Sequence, residues 1–332
     1  MKDLAAIRRR ISSRIPEGQA GLALLDATVT GTKVKDLETS LHRLVIGQGE
    51  AIHEIVRTYQ TYLAGLSAEA RPIGNFLLLG PTGTGKTRAV EAAAEALLDN
   101  PRAVIKIDCG EFQHSHELAK LIGSPPGYLG HRETHALLSQ EALNQHHPEN
   151  MKLTFVLFEE IEKASDALWN LLLGILDKAT LTLGDNRKVD FSKALIFMTS
   201  NIGTAEMSSL VSPKLGFRTA PLCDSSCAPA LTAKLSRAGV EAARRRFTPE
   251  FLNRLDRIVV FTALGNEELD RIIDIELELV RQRVRTASAG QPFLINVTGS
   301  ARRFLLEGID LRHGARPLKR GIEAWKTNGV AA

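Results

Sequence analysis

Five short runs of apolar residues stand out along the chain, each bounded by residues that favour turns or begin helices. They are NFLLL (75–79), AVIKID (103–108), LTFVLF (153–158), ALIFMTS (194–200) and RIVVF (257–261). Apolar runs of this length without regular polar alternation predict strands that are buried on both faces.

Segments with helical spacing of apolar residues lie between these runs. TRAVEAAAEALL (87–98) and DALWNLLLGILD (166–177) are two examples. Strands that alternate with helices predict a parallel sheet covered by helices on both faces. We therefore predict an α/β fold with a parallel five-stranded sheet, placed within residues 41–262.

The pattern changes after the fifth run. A long amphipathic stretch, NEELDRIIDIELELVRQRV (266–284), precedes a short candidate strand, FLINVT (293–298), and further helical sequence. We predict a small, mainly helical subdomain over residues 263–332. Residues 1–40 are predicted to be a lead-in segment, and residues 204–235, rich in Ser, Pro and Ala, a mobile loop.

The composition is that of an ordinary globular protein. The chain has 332 residues, of which 44% are hydrophobic and 24% charged, enough for one large domain and a small one. No window approaches the ~18 uncharged apolar residues of a membrane helix, and the N-terminus is charged where a signal peptide would be apolar. We therefore expect no membrane partner and a cytoplasmic location.

Neither the cysteines nor the charge points to a special class. Cys109, Cys223 and Cys227 form an odd set without further metal-ligand spacing, which disfavours both a disulfide framework and a zinc site. The net charge is +4, with basic runs at 8–10 and 244–246. Such runs usually mark solvated helix faces, and no aromatic interleaving favours nucleic acid as a partner.

The segment GPTGTGKT follows the first predicted strand and opens a predicted helix, which is the context of a Walker A phosphate loop. Glycines let backbone N–H groups converge on phosphate oxygens, and the helix N-terminus adds positive potential. The lysine should reach the β and γ phosphates, and the last threonine should contribute to a Mg²⁺ shell. ATP and Mg²⁺ are the expected ligands. The predicted binding residues of the loop are Gly80, Pro81, Thr82, Gly83, Thr84, Gly85, Lys86 and Thr87.

Polar side chains end two other predicted strands. The run LTFVLFEE places Glu159 at the metal position and Glu160 at the position that activates water. Asn201, at the end of TSN, could hydrogen-bond the attacking water or the γ-phosphate. The alternatives are a surface turn for the acidic pair and an ordinary helix cap for TSN.

Together the motifs resemble the AAA+ superfamily, and more closely the second ATPase module of the Clp unfoldases and disaggregases. The matching pieces are VIGQ (45–48), GPTGTGKT (80–87), GSPPGYLG (123–130), FEEIEKA (158–164), VDFSKALIFMTSNIG (189–203), FTPEFLNRLDRIVVF (247–261) and GARPLKR (314–320). The resemblance spans about residues 30–322. It implies an AAA+ P-loop NTPase core followed by a Clp-type small subdomain, which we expect to be shortened.

The resemblance also implies roles for individual residues. Val45 and Ile46 would line the adenine pocket, and Asn201 would sense the γ-phosphate. Arg254, in FLNR, is similar to the arginine finger that reaches a neighbouring subunit's nucleotide, and Arg316, in GAR, to the second sensor. An arginine finger that acts on a neighbour requires a ring, which in this family is usually a hexamer.

Two loops are similar to segments that contact other proteins. Tyr128 and Leu129 match the pore loop that grips an extended polypeptide; without the resemblance, they would form a turn with a packed tyrosine. Leu215, Gly216 and Phe217 are similar to the hydrophobic tripeptide with which some Clp unfoldases contact the ClpP peptidase. The alternative is that this tripeptide packs onto its own domain.

The sequence departs from the family pattern at Glu159, where an aspartate is usual, and we expect reduced rather than abolished hydrolysis. The segment after the pore loop, residues 131–152, is longer than usual and lacks a glycine pair. The predicted function is that of an ATP-dependent unfoldase motor. We also expect the chain to serve as the regulatory subunit of a Clp protease. The alternatives are an ATP-driven switch with slow turnover and a DNA-associated loader.

Overall fold

The computed structural model describes residues 31–124, 136–148, 151–211 and 228–287, with positions 299, 302, 314–318, 321 and 322 beyond them. The predicted strand FLINVT and the predicted loops that contain Tyr128 and Phe217 lie outside the described residues.

The core is a parallel five-stranded sheet, as predicted. Its strands are β1 (Gly74–Leu79), β2 (Val104–Asp108), β3 (Thr154–Glu159), β6 (Ala194–Ser200) and β7 (Arg257–Val260). Their order across the sheet is β2-β3-β6-β1-β7, and every neighbouring pair is parallel. Because all strands run in one direction, their carboxyl ends meet at one edge of the sheet.

The register places three predicted motifs side by side at that edge. Leu79, the last residue of β1, pairs with Ser200 at the end of β6, and Phe158 of β3 pairs with Met198 of β6. The phosphate loop follows β1, the acidic pair ends β3, and Asn201 follows β6. The central position of β6 therefore sets Asn201 between the phosphate loop and the acidic pair.

Helices cover both faces of the sheet. In chain order they are α1 (Thr32–Leu44), α2 (Gly49–Leu63), α3 (Lys86–Leu98), α4 (Ala119–Ile122), α5 (Gln140–Asn144), α6 (Asp166–Lys178), α7 (Thr204–Val211), α8 (Ala228–Arg246), α9 (Pro249–Leu252) and α10 (Asn266–Ala287). Of these, α1 begins inside the segment predicted as a lead-in and packs three apolar residues against the core.

The two faces of the sheet pack into separate apolar clusters because successive side chains of a strand point to opposite sides. In β1, Phe76 and Leu78 belong to one cluster, whereas Leu77 and Leu79 belong to the other. All four are fully buried. This double burial explains why the strand reads as a continuous apolar run in the sequence.

Helix α6 shows how local sequence fixes one of these elements. The Ser165 hydroxyl accepts a hydrogen bond from the Leu168 backbone N–H and caps its N-terminus. Its buried residues recur at the helical spacing of three and four and form one apolar stripe. They are Leu168, Leu172, Ile175 and Leu176.

Two features differ from the sequence predictions. A short antiparallel hairpin, β4 (Thr180–Thr182) and β5 (Lys188–Asp190), follows α6 and was not predicted. The loop predicted over residues 204–235 was wrong at both ends, because 204–211 lie in α7 and 228–235 in α8. In α7 the side chain of Met207 is buried against Gly239 of α8, a contact between distant residues that local composition does not reveal.

None of the helices in the described part of the chain has the length and apolar character needed to cross a membrane.

Candidate active site

The phosphate loop connects β1 to α3 in a conformation that needs glycine. Gly80 has a φ of 142°, and a Cβ at this position would lie 2.4 Å from the backbone oxygen of Phe261. The loop is thus pressed against the end of β7, and a larger residue would push it away from the sheet. The loop then leads directly into α3, whose first residue is Lys86.

Lys86 is held at the centre of the site. Its Nζ donates hydrogen bonds to the backbone oxygens of Gly80 at 2.6 Å and Pro81 at 2.8 Å, and to Asn201 Oδ1 at 3.0 Å. Only 8% of the residue is exposed. The contact with Asn201 brings two predicted site residues, 115 positions apart in the sequence, into direct hydrogen-bonding distance.

The charge of Lys86 is costly in this position. Burial lowers the pKa of Lys86 to about 8, while the carboxylate of Glu162 opposes this shift and the positive charge of Arg316 adds to it. A phosphate placed beside the ammonium group would favour its charged form. An anion bound beside Lys86 would therefore be stabilised by this buried positive charge.

Glu159 lies against the last residue of the phosphate loop. The Thr87 hydroxyl donates a hydrogen bond of 2.5 Å to Glu159 Oε1. The two oxygen donors predicted to form part of a Mg²⁺ shell are thus adjacent. Among the described residues, no group of three or more His, Cys, Asp or Glu side chains forms a metal site.

Glu160 adopts a left-handed backbone conformation, with φ 54° and ψ 48°. This conformation is uncommon for residues other than glycine and costs on the order of 1–3 kcal/mol, so the surrounding structure must hold it. The Glu160 backbone N–H donates to Thr199 Oγ1 at 3.3 Å, and the carboxylate pairs with Lys163 Nζ at 2.5 Å. The hydrogen bond that Lys163 donates to the Glu160 carboxylate raises the pKa of Lys163.

Glu162 is a site residue that the sequence analysis did not single out. Its Oε1 accepts a hydrogen bond of 3.2 Å from the backbone N–H of Asn201. Its Oε2 is buried and has no hydrogen-bond partner in the described part of the chain. The available signal was its place in FEEIEKA, two residues after Glu160.

A cavity of about 470 Å³ joins these groups and falls within the size range of small-molecule sites. Its lining includes residues 82–87 of the phosphate loop, Glu159, Glu160, Asn201 and Arg316, whereas the predicted binding residues Gly80 and Pro81, and also Glu162, are not among the lining residues. Val45 and Ile46, predicted to contact adenine, line the same cavity and are themselves largely buried. Further apolar lining comes from Leu44, Leu264, Ile272 and Ile275.

Gln48, in the VIGQ motif, fixes the wall that carries Val45 and Ile46. Its side-chain amide donates to the backbone oxygens of Thr84 and Thr262, each at 3.1 Å. Only 5% of Gln48 is exposed. One buried amide therefore links this wall to the phosphate loop and to the segment that follows β7.

The GAR turn of the C-terminal part contacts the phosphate loop through its backbone. The N–H of Ala315 donates to the oxygen of Gly83 at 3.0 Å. Gly314 has a φ of 57°, and a Cβ there would lie 2.4 Å from that same oxygen. This close approach requires glycine at position 314. It places Arg316, which is exposed to solvent, at the edge of the cavity.

Arg254 lies elsewhere and does not line this cavity. Its backbone oxygen accepts a hydrogen bond from the side chain of Asn75, at the start of β1. Gly80 follows the other end of β1, about 16 Å away at ~3.3 Å per residue. Arg254 therefore sits at the opposite edge of the sheet from its own phosphate loop.

The remaining predicted contact residues lie outside the described part of the chain. These are Tyr128 and Leu129 of the predicted pore loop and Leu215, Gly216 and Phe217 of the predicted partner loop. Their roles stay predictions from the sequence.

A buried lysine in a glycine loop, with carboxylates and an amide on adjacent strand ends, defines a P-loop nucleotide site. Residues 71–258 match the family AAA domain (Cdc48 subfamily), and residues 264–325 match the C-terminal, D2-small domain of ClpB protein. The first match covers more than half of the chain. The chain belongs to the AAA family, and the predicted similarity to Clp-type second modules is confirmed.

Individual relatives agree with this assignment. The chaperone protein ClpB of Rhizobium meliloti (strain 1021) is 37% identical over 300 residues, which are 90% of this chain and 32% of that protein. Two solved structures, a closed state of Hsp104 with ATPγS and FITC casein and an S. cerevisiae Hsp104:casein complex in an extended conformation, each have a TM-score of 0.71 and 30% identity. Each match covers 90% of this chain and 47% of the Hsp104 chain. The chain thus spans about a third to a half of the length of these relatives.

Proposed function

We propose that this chain is an ATP-hydrolysing motor module that assembles into a hexameric ring and pulls on polypeptide chains. The observation that supports it best is the meeting of Lys86, Asn201 and the Glu159–Glu160 pair around one cavity. Each group follows or ends a different strand of the sheet, and such a set has the chemistry that phosphoryl transfer requires.

The residues present fit ATP. Lys86 reaches the place where the loop backbone would hold phosphates, and its buried charge gains from an anion. Val45 and Ile46 offer an apolar surface to the base. Asn201 is within hydrogen-bonding distance of Lys86 and so beside the expected γ-phosphate. Glu160 is the general base for water, and Arg316 adds positive charge from the cavity's edge.

The residues also fit Mg²⁺, which is bound in such sites by one or two carboxylates together with phosphate oxygens and waters. Thr87 and Glu159 would hold it. The metal would neutralise the charge that develops on the phosphate oxygens.

Relatives motivate the polypeptide substrate and the ring. ClpB is named as a chaperone, and Hsp104 has been solved with casein. Since the chain matches only part of each relative, threading and ring formation are proposals for this chain. Docking of a ClpP-type peptidase through Leu215, Gly216 and Phe217, and a cytoplasmic location, stay predictions from the sequence.

Replacing Tyr128 with alanine tests the polypeptide substrate. We expect Tyr128→Ala to lose ATP-dependent unfolding of a fluorescent substrate protein while it retains ATP hydrolysis, because the aromatic ring would grip the substrate outside the nucleotide site. The Tyr128→Phe variant, which keeps the ring, is the matched control and should keep unfolding activity. Unchanged substrate processing by Tyr128→Ala would refute the proposed motor function.

The alternative function, that of a DNA-associated loader, has a separate test. Affinity for DNA that falls steeply with salt concentration would favour it.

Replacing Glu159 with aspartate tests the metal position. Glutamate is one methylene longer than the aspartate usual in the family, and misplacing reacting groups by 1 Å can cost about 10²-fold in rate. We expect Glu159→Asp to raise kcat about tenfold and to lower the Mg²⁺ concentration needed for half-maximal rate. The measurement is steady-state ATP hydrolysis at varied Mg²⁺. Glu159→Gln, which removes the charge, should move both quantities the other way, and an unimproved Glu159→Asp enzyme would contradict the placement.

A further inference from the structure

Asn75, at the start of β1, is a fully buried polar residue in an otherwise apolar strand. A buried amide is costly unless its hydrogen bonds are made. Its Nδ2 donates to two backbone oxygens, those of Leu176 and Arg254, each at 3.1 Å, while its Oδ1 is buried without a hydrogen-bond partner in the described part of the chain. One side chain thus joins the end of α6 to the segment that carries the predicted arginine finger.

The backbone of Asn75 also forms hydrogen bonds with the same segment. Its N–H donates to Asp256 Oδ2 at 2.8 Å, and its oxygen accepts from the Asp256 N–H at 2.9 Å. Together with the side-chain bond to Arg254, this fixes two positions of one short turn. The turn lies between α9 and β7, where the backbone N–H groups of Arg254 and Leu255 donate back to the oxygens of Phe251 and Leu252, at 3.0 and 3.2 Å. The bonds from Asn75 tie this turn to β1.

Arg71 adds a second donor to the same carbonyl. Its guanidinium donates to the Arg254 oxygen at 3.2 Å and lies 3.7 Å from Asp256 Oδ1. The Arg254 oxygen therefore receives hydrogen bonds from two side chains that come from the start of β1 and the segment before it. The backbone of Arg254 is therefore held on both sides, with its N–H bonded to Phe251 within the turn and its oxygen bonded to side chains from outside the turn.

The Arg254 side chain is also oriented by neighbours. Its guanidinium bonds Glu250 at 2.9 Å and lies 3.9 Å from Asp177 at the end of α6. The side chain is only 23% exposed. Glu250 and Asp177 thus hold the guanidinium in one direction only as long as the Arg254 backbone keeps its place beside them.

From these contacts we propose that Asn75 and Arg71 are positioning residues for Arg254. They hold the finger's backbone so that its guanidinium meets the nucleotide of the adjacent subunit. The inference rests on the proposed ring and on Arg254 acting in trans. It assigns a function to two residues that do not line the nucleotide cavity of their own subunit.

The first test measures ATP hydrolysis of single variants in the full chain. Asn75→Leu keeps a similar volume but removes both donors, and we expect about a 10²-fold loss of kcat, the typical cost of a 1 Å misplacement. Arg71→Met removes one of two donors from a partly exposed position and should lose roughly tenfold on the same grounds. The matched control is Arg57→Met, which removes an exposed arginine on α2 that lies 3.9 Å from Glu54. It should hydrolyse ATP like the wild type.

The second test separates positioning from a general structural defect. Asn75→Leu subunits, which would keep Glu160, are mixed with Glu160→Gln subunits, which keep the finger and its anchors. In a randomly mixed head-to-tail ring, about a quarter of the sites combine Glu160 with a correctly held neighbouring finger, so about a quarter of the wild-type rate should return. The reference mixture pairs Arg254→Ala with Glu160→Gln subunits.

The outcomes distinguish this inference from the proposed function. If the reference mixture regains activity but the Asn75→Leu mixture does not, the positioning role is wrong. If Asn75→Leu alone hydrolyses ATP normally while Arg254→Ala does not, the role is wrong as well. If Arg254→Ala alone is fully active, the ring mechanism itself fails. Should Asn75→Leu not fold, Arg71→Met undergoes the same mixing test, and absence of rescue overturns the proposal.

Discussion

Replacing Arg254 with alanine is expected to lower ATP turnover by ~10³ to 10⁵, the usual contribution of an arginine finger to phosphoryl transfer. Nucleotide affinity should change little, because Arg254 does not line the cavity of its own subunit. The measurement is kcat for hydrolysis together with the Kd of a fluorescent ATP analogue. A large fall in kcat with an unchanged Kd is the expected pattern.

The mass of the assembly provides the control for this variant. Light scattering with and without ATP should show the same ring for the wild type and for Arg254→Ala, so that the loss of turnover is not a loss of assembly. A wild-type protein that stays monomeric under all conditions would leave Arg254 without a nucleotide to act on. Normal turnover by Arg254→Ala would equally contradict the trans mechanism.

Glu160→Gln should bind ATP yet lose roughly 10² to 10⁴ in turnover, the usual size of a general acid–base contribution. Glutamine keeps the shape of the side chain, so the left-handed backbone at this position should persist, but it cannot accept a proton from water. Single-turnover hydrolysis and ATP binding, measured on the same preparation, test this directly.

The matched control for this variant is Glu69→Gln, the same change at an exposed position. It should leave both quantities unaltered. Wild-type-like hydrolysis by Glu160→Gln would overturn the assignment of the general base. A fall in ATP affinity as large as the fall in turnover would instead indicate that Glu160 acts on the ground state rather than on the reacting water.

The sequence predicted the sheet well because burial on both faces leaves a direct trace. A strand such as β6 has every residue buried, so its seven positions read as one apolar run that ends in small polar residues. The phosphate loop could also be predicted from the sequence, since its glycines, lysine and threonine each have a role that few other residues can perform. Both signals are local, and both are carried by consecutive residues.

Features that depend on contacts between residues far apart in the chain could not be predicted from the sequence. Each strand of the β4–β5 hairpin has three residues with only the central one buried, Leu181 and Val189, which is too short for a periodic signal. The partner of Glu162 lies 39 positions away, and those of Asn75 lie 101 to 181 positions away. Nothing near Asn75 in the chain indicates what its amide would bond.

The backbone hydrogen bond between Ala315 and Gly83 links closure of the GAR turn to nucleotide binding at the phosphate loop. If closure of the GAR turn on the phosphate loop changes the free energy of nucleotide binding, then bound nucleotide must change the free energy of closure by the same amount. The place where the two chain segments meet is a glycine on each side, with no side chain to buffer a shift. A displacement of the phosphate loop by a ligand would therefore be transmitted directly to the C-terminal part of the chain.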